Sequence, residues 1–423
     1  MLTISNQRTT LTVIIFWTIA CKVLGFARDW YLVQTVNFGV QLDVYLLGLS
    51  FPNNLLNVLS ASLITTMVPI LVRSFEGESR SQFGELAFRA TSRTFIYSSL
   101  ATILLWFMLP YLVPIAFHFE PEKLNFFVPV VRLTVLTIPV VLSISILQNV
   151  YIAANRTFFG VVLTSIPTLI SFLVQMILKQ NMAISLAVVN LISMLIVLLM
   201  AFAHLSLAGN LKPCRVFGVK ISSKRHSAQM TVATCLHQLM QFVEQIAFSK
   251  LANGMTSALT YGMRIPQTIS SVSEGVVNNF YGRLFNSRAA QKVHKSEARF
   301  FAEAFVVGLF LALVLSFSSH SLVALLYGNK VEKNLLGKVV LSQIISAGML
   351  PFSLMQSVIV QKIRSQDNYF AFIVMSGCQL AAKVVVLGTD WFGDQAVPVS
   401  VVISYAVGGV VTIILIFRSG KAV

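Results

Sequence analysis

The 423-residue chain is 56% hydrophobic and only 11% charged, yet carries a formal net charge of +16. Soluble domains hold about 25% charged residues, so the composition excludes an ordinary soluble domain and marks a polytopic membrane protein. In a soluble chain so basic a balance would point to nucleic acid. Here Lys and Arg retained in cytoplasmic loops account for it, and no nucleic-acid-binding module is present.

A helix needs about 20 apolar residues to cross a bilayer. Twelve stretches qualify, at 10–26, 42–72, 95–117, 128–154, 158–178, 183–207, 230–251, 258–280, 302–326, 339–360, 370–387 and 397–417. The first is read as a retained span rather than a signal peptide, because the apolar run Leu11 to Val23 continues into KVLGFARD with no small-x-small cleavage site. The predicted fold is all-α, about 12 transmembrane helices in two six-helix lobes, 1–208 and 230–423. A basic linker at 209–229, containing Pro213 and Gly218, joins them. Such a two-half layout is common among transporters. Alternate loops hold most of the Lys and Arg, including Arg73, Arg80, Arg89, Arg93, Lys212, Arg215, Lys220, Lys224 and Arg225. The positive-inside rule then places both termini in the cytoplasm.

In chain order, the first chemistry is in the run Lys22 to Asp29, where Arg28 and Asp29 close the first span. A charge near the hydrocarbon costs roughly 2.5–3.5 kcal/mol on the mildest scale, so such residues usually face a cavity or a substrate path. The blander reading has Lys22 snorkelling and Arg28 paired with Asp29 at the headgroups. Asp43 opens the second span, as a partner for Lys22 or Arg28 or as a helix cap. Pro52, Pro110, Pro114, Pro266 and Pro351 fall within their spans, where a broken helix could line a cavity; the preferred reading is the blander one, that each simply kinks a membrane helix. Span seven carries His237, Gln241, Glu244 and Gln245 at helical spacing, a polar face suited to a cavity or to an interhelical seam. Glu244 is a candidate proton or cation site. Span eight carries Arg264 and then Glu274. The five donors of an arginine fork match phosphate oxygens, and the alternative is an ion pair with Glu244 or Glu274. Lys383, inside span eleven, is a candidate built-in cation.

Cys21, Cys214, Cys235 and Cys378 form no C-x-x-C pair, so neither a metal site nor a disulfide framework is expected. The nucleotide-binding G-x-x-x-x-G-K-[ST] run is absent, as are H-E-x-x-H and G-x-S-x-G. The chain is read as a transporter and not an enzyme, with no cofactor.

The runs KVLGFARD, FGVQLDVYLLGLSFPN and TTMVPIL, followed by YGMRIPQTISSVSEGV in span eight, resemble the MurJ/MviN family of lipid II flippases. That family belongs to the multidrug/oligosaccharidyl-lipid/polysaccharide exporter superfamily. The resemblance implies two lobes, alternating access and a cationic cavity for a pyrophosphate. On it, Arg28 and Arg264 match the family's arginines of spans one and eight. Lys22 stands in place of another arginine of span one, and Asp43 matches the acidic residue opening span two. The chain departs from the pattern in span two, where Asn57 and its neighbours offer no cation, and in stopping short of the family's usual number of spans.

The expected function is therefore that of a bacterial inner-membrane flippase. It would move a polyprenyl-(pyro)phosphate-linked saccharide, lipid II or an exopolysaccharide precursor, to the outer leaflet. Lys22, Arg28, Asp43 and Arg264 would bind substrate, and His237, Gln241, Glu244 and Lys383 would line a cavity or couple an ion. Expected partners are that glycolipid, membrane lipids and glycan-assembly proteins, but no nucleic acid. A cation-coupled multidrug exporter and a non-transporting scaffold of glycan assembly are the rival readings.

Overall fold

The computed structural model describes residues 4–77, 80–119, 121–154, 156–178, 182–207, 211, 225–286, 297–328, 331–365 and 369–419. They form helices, in chain order α1 (Ile4–Val36), α2 (Val40–Gly77), α3 (Arg80–Ala116), α4 (Pro121–Val135), α5 (Thr137–Ala153), α6 (Thr157–Leu178), α7 (Ala183–Leu207), α8 (Arg225–Ser249), α9 (Met255–Asn286), α10 (Glu297–Tyr327), α11 (Lys333–Ala347), α12 (Leu350–Ser365), α13 (Tyr369–Gly388) and α14 (Ala396–Ser419). A short 3-10 turn, Asp390–Gln395, precedes α14. Among the described residues there is no strand.

Among the described residues, eight stretches are long and apolar enough to cross a membrane, from Gln82–Ala116 to Trp391–Ile414. Their surfaces are those of membrane helices. On α3, Leu100, Leu104, Phe107, Tyr111 and Ile115 are exposed at helical spacing, and on α10 so are Val306, Phe310, Leu313 and Phe317. Polar side chains such as Asn149, Gln175, Asn190 and Gln343 are buried instead. In water such exposed stripes would be costly; in lipid they are the expected outer face. Helices α1, α2, α8 and α9 are not among the eight, and these four carry all the polar candidate residues except Lys383.

The prolines behave less uniformly than their sequence positions suggest. α3 runs unbroken through Pro110 and Pro114, and α9 through Pro266; α2 likewise continues past Pro52. A break does occur at Pro351, where α11 stops at Ala347, the residue four before the ring, and α12 starts at Leu350. Pro139 does the same: α4 ends at Val135, again four residues earlier, and α5 starts at Thr137. The pyrrolidine ring clashes with the carbonyl of residue i−4 and removes one ladder hydrogen bond. At Pro52, Pro110, Pro114 and Pro266 the helix continues, as the blander reading has it: a membrane helix absorbs a proline when neighbouring side chains and helices satisfy the freed groups.

The chain divides into two compact units, residues 1–36 with 44–228 and residues 37–43 with 229–423. In the first, α5 is the hub, and almost every one of its residues from Thr137 to Ala153 is buried. Val140, Ile144, Leu147 and Val150 meet Phe83 and Ala87 of α3, Leu163 of α6 and Val197 and Ala201 of α7. α2 passes α4 closely enough that a Cβ on Gly48 would lie 2.6 Å from Val130, and the Thr134 hydroxyl donates to the Gly48 carbonyl at 2.8 Å. In the second unit α9 packs on α11 and α12, α10 on α12, and α13 on α14. Small residues allow these approaches: a Cβ on Gly308 would sit 2.5 Å from Pro351 Cα, and one on Gly262 would sit 2.6 Å from the Val339 carbonyl.

Candidate functional site

Lys22 and Arg28 lie on α1 in the first unit, and Lys22 is exposed. The Arg28 guanidinium is folded onto its neighbour: Nε and Nη2 donate to Asp29 Oδ1 at 3.1 and 2.8 Å. The two side chains are 13% and 5% exposed. A guanidinium so far from water is tolerable because the adjacent carboxylate neutralises it and takes two of its donors.

Asp43 belongs to the second unit, although it opens α2. It caps a helix, but not its own. The Gly254 and Ser257 N–H groups donate to its two carboxylate oxygens at 2.8 Å each, and the Ser257 hydroxyl donates at 2.5 Å. These donors sit at the start of α9, where the first N–H groups lack intrahelical acceptors and the helix dipole favours an anion. Gly254 adopts φ +79°, a left-handed turn that suits glycine and aims its N–H at the carboxylate. Phe38, in the same segment, stacks on Tyr261 with ring centroids 5.6 Å apart. Arg264 lies farther along α9, half-buried. The side chain of Glu274, its suggested partner, lies outside the described residues.

The polar face of α8 meets α13. Glu244 forms an ion pair with Lys383, and their side chains are 16% and 6% exposed. This partner differs from the arginine considered from sequence. The pair borders a cavity of about 70 Å³, lined by His237, Met240, Gln241 and Glu244 from α8, Gln267 from α9, Met349 from the turn between α11 and α12, Gln379 and Lys383 from α13, and Val401, Ser404 and Tyr405 from α14. Four candidates from separate parts of the sequence, His237, Gln241, Glu244 and Lys383, thus share one cavity. Gln245 is buried but does not line it. Four further polar residues line it that the sequence reading passed over. Gln379 precedes Lys383 by four residues and Gln267 follows Arg264 by three, so helical spacing could have found both. Ser404 and Tyr405 sit in the apolar run VVISYAVGG, which offers no such signal.

The Gln379 amide donates to Gln356 Oε1 at 3.0 Å, whereas its own Oε1, deeply buried, has no hydrogen-bond partner among the described residues. A second cavity of about 330 Å³ lies between α8, α13, the 3-10 turn and α14. Its lining includes Lys250, Thr389 and Asp394 as well as Val243, Ala247, Val384 and Leu387. Both cavities border α8, and the Glu244–Lys383 pair bridges α8 to α13.

Among the described residues no cluster of His, Cys, Asp and Glu could hold a metal ion. No family model and no curated protein matches the sequence. Solved structures do. The lipid II flippase MurJ in an inward closed conformation superposes with a TM-score of 0.78 at 17% identity, over 96% of this chain and 87% of that one. An inward-facing multidrug resistance MATE transporter of the MOP superfamily gives 0.67 at 13% identity, over 95% of each chain. A Vibrio cholerae MATE transporter, VcmN, gives 0.66 at 12%, over 98% and 96%. The chain has the polytopic helical fold that MurJ shares with the MATE transporters of the MOP superfamily.

Proposed function

We propose that this protein is a flippase of the bacterial inner membrane that moves a polyprenyl-(pyro)phosphate-linked saccharide from the cytoplasmic to the outer leaflet by alternating access. Its twelve spans would form two six-helix lobes with both termini cytoplasmic. The observation that carries this reading is the pair of sheltered arginines, Arg28 on α1 and Arg264 on α9, in a fold shared with a lipid II flippase.

Each arginine suits a phosphate. The planar fork gives two parallel N–H···O bonds to one phosphate group, stronger and more directional than a lysine's point charge. Arg28 is already paired with a carboxylate, so a phosphate would take over donors now held by Asp29, and the guanidinium need not be stripped of water for the first time. Exposed Lys22 adds a mobile cation on the same helix. Asp43 contributes by holding the start of α9, and so the helix that bears Arg264. The saccharide and phosphates would travel with these groups while the polyprenyl tail stays in lipid, where its burial costs nothing.

A multidrug exporter is the second reading, favoured by the MATE likeness over nearly the whole chain. Guanidinium forks suit an anionic cargo better than a cationic one, which places it behind the flippase.

The test is depletion of the protein followed by mass analysis of polyprenyl-linked lipids, with Arg28→Ala and Arg264→Ala as variants. Depletion should accumulate a lipid-linked saccharide on the cytoplasmic side and so identify the cargo. Each variant should abolish export while the protein remains in the membrane. Normal export by both variants overturns the arginine mechanism. Unchanged lipids on depletion, with drug sensitivity in an efflux-deficient host, would favour the exporter.

A further inference from the structure

The Glu244–Lys383 pair is an unusual thing to keep inside a membrane protein. Removing two charges from water costs several kcal/mol each, and well-packed apolar residues are often as stable in the same place. Stability alone therefore does not account for it, and an intramembrane ionisable pair is by default a functional feature.

The cavity around the pair is rich in oxygen acceptors. Glu244, Gln241, Gln267, Gln379, Ser404 and Tyr405, each bearing a side-chain oxygen, line one small space. The Gln379 Oε1 is buried without a donor, 97% of its residue being out of contact with solvent. An unmet buried acceptor carries a desolvation penalty. Oxygens of this kind, about one carboxylate, are what a hard cation binds. Yet the Lys383 ammonium already lies against the carboxylate, so the lining charges, Glu244 and Lys383, sum to zero; His237 and Tyr405 are the remaining titratable side chains there.

We propose that this cavity is a monovalent-cation site whose cation is built in: the Lys383 ammonium is the tethered occupant, and it excludes free sodium or lithium. A group fixed to the same fold competes at an effective concentration that a dissolved ion does not match. The pair also ties α8 to α13, so the unit holds this link without loading an ion. If the chain transports a glycolipid, a consequence that rests on the reading above, this site does not couple it to a sodium gradient. The site itself stands or falls independently of the cargo.

The test uses the purified full-length protein in detergent and reads its melting temperature in sodium, lithium or choline chloride at matched ionic strength. Wild type should respond no differently to the three salts. Lys383→Ala should melt earlier in choline and recover saturably with sodium or lithium, binding the ion at least about tenfold more tightly than wild type. Adding Glu244→Gln to that variant should abolish the recovery. Lys383→Gln, which keeps most of the stem, serves the same purpose if Lys383→Ala does not survive extraction. Two results overturn the proposal: a sodium- or lithium-specific stabilisation of wild type that Glu244→Gln removes, or lysine variants that respond no differently to sodium, lithium and choline, whatever their stability. None of these readings depends on export, so a failed flippase assay and a failed cation-site assay are separate outcomes.

Discussion

The two units handle buried charge differently. In the first, the sheltered pair joins neighbours in sequence, Arg28 and Asp29 on α1. In the second, Glu244 and Lys383 are 139 residues apart and join two helices across a cavity. The first pair survives any movement of α1 as a body, because both partners move together. The second breaks as soon as α8 and α13 separate. A pair within one helix can therefore neutralise a charge that must travel, whereas a pair between helices reports on, and resists, their separation. The surroundings follow the same division. α5 of the first unit is buried along nearly its whole length in apolar contacts, while α8 of the second borders space on its polar face.

The largest effect that would sharpen this contrast is on the cross-helix pair. Glu244→Ala or Lys383→Ala in a choline buffer leaves one buried charge alone and should cost about 3–5 kcal/mol, while Glu244→Gln with Lys383→Met should recover most of it. Unfolding of the detergent-solubilised protein measures both, and equal losses in single and double variants would show that the pair is not the unit that matters. Asp43→Ala comes next. It strands the Gly254 and Ser257 N–H groups at the start of α9 and should cost about 1–3 kcal/mol, and faster hydrogen exchange over residues 254–258 would locate the loss.

Asp29→Asn should cost less, about 1–2 kcal/mol, because Arg28 keeps a hydrogen-bond acceptor beside it. Its main effect should be on export, through a freed guanidinium. A stability loss as large as that of Lys383→Ala would erase the distinction between local and cross-helix pairs. The smallest change is Tyr151→Phe in the first unit. The Tyr151 hydroxyl lies 2.6 Å from His204 Nδ1, and its removal should lower stability by about 1 kcal/mol. No change in the same unfolding measurement would mean that water replaces the bond.

Much of the site was legible in the chain because helical spacing is local. The helical spacing of His237, Gln241, Glu244 and Gln245 marked one polar face, and the first three of these line the cavity while Gln245 does not. The pairing of Arg28 with Asp29 was legible for the same reason, since adjacent residues need no fold to meet. Asp43 was legible as a cap but not as a cap for α9, because its donors lie 211 and 214 residues away. Prolines were only partly legible: the residue type is local, but whether α3 runs on through Pro114 or a helix stops before Pro351 depends on what satisfies the freed carbonyl.

The sequence by itself determined the class of protein, since no soluble core can absorb so many apolar residues with so few charges, and it determined which helices carry polar faces. Only the tertiary structure decided the partners: that Lys383 answers Glu244, that Asp43 holds α9, and that Gln379, Ser404 and Tyr405 complete the cavity. The physical reason is range. Periodicity and composition are fixed within a few turns of chain, whereas a buried charge is settled by whichever opposite charge the packing of distant helices brings within reach.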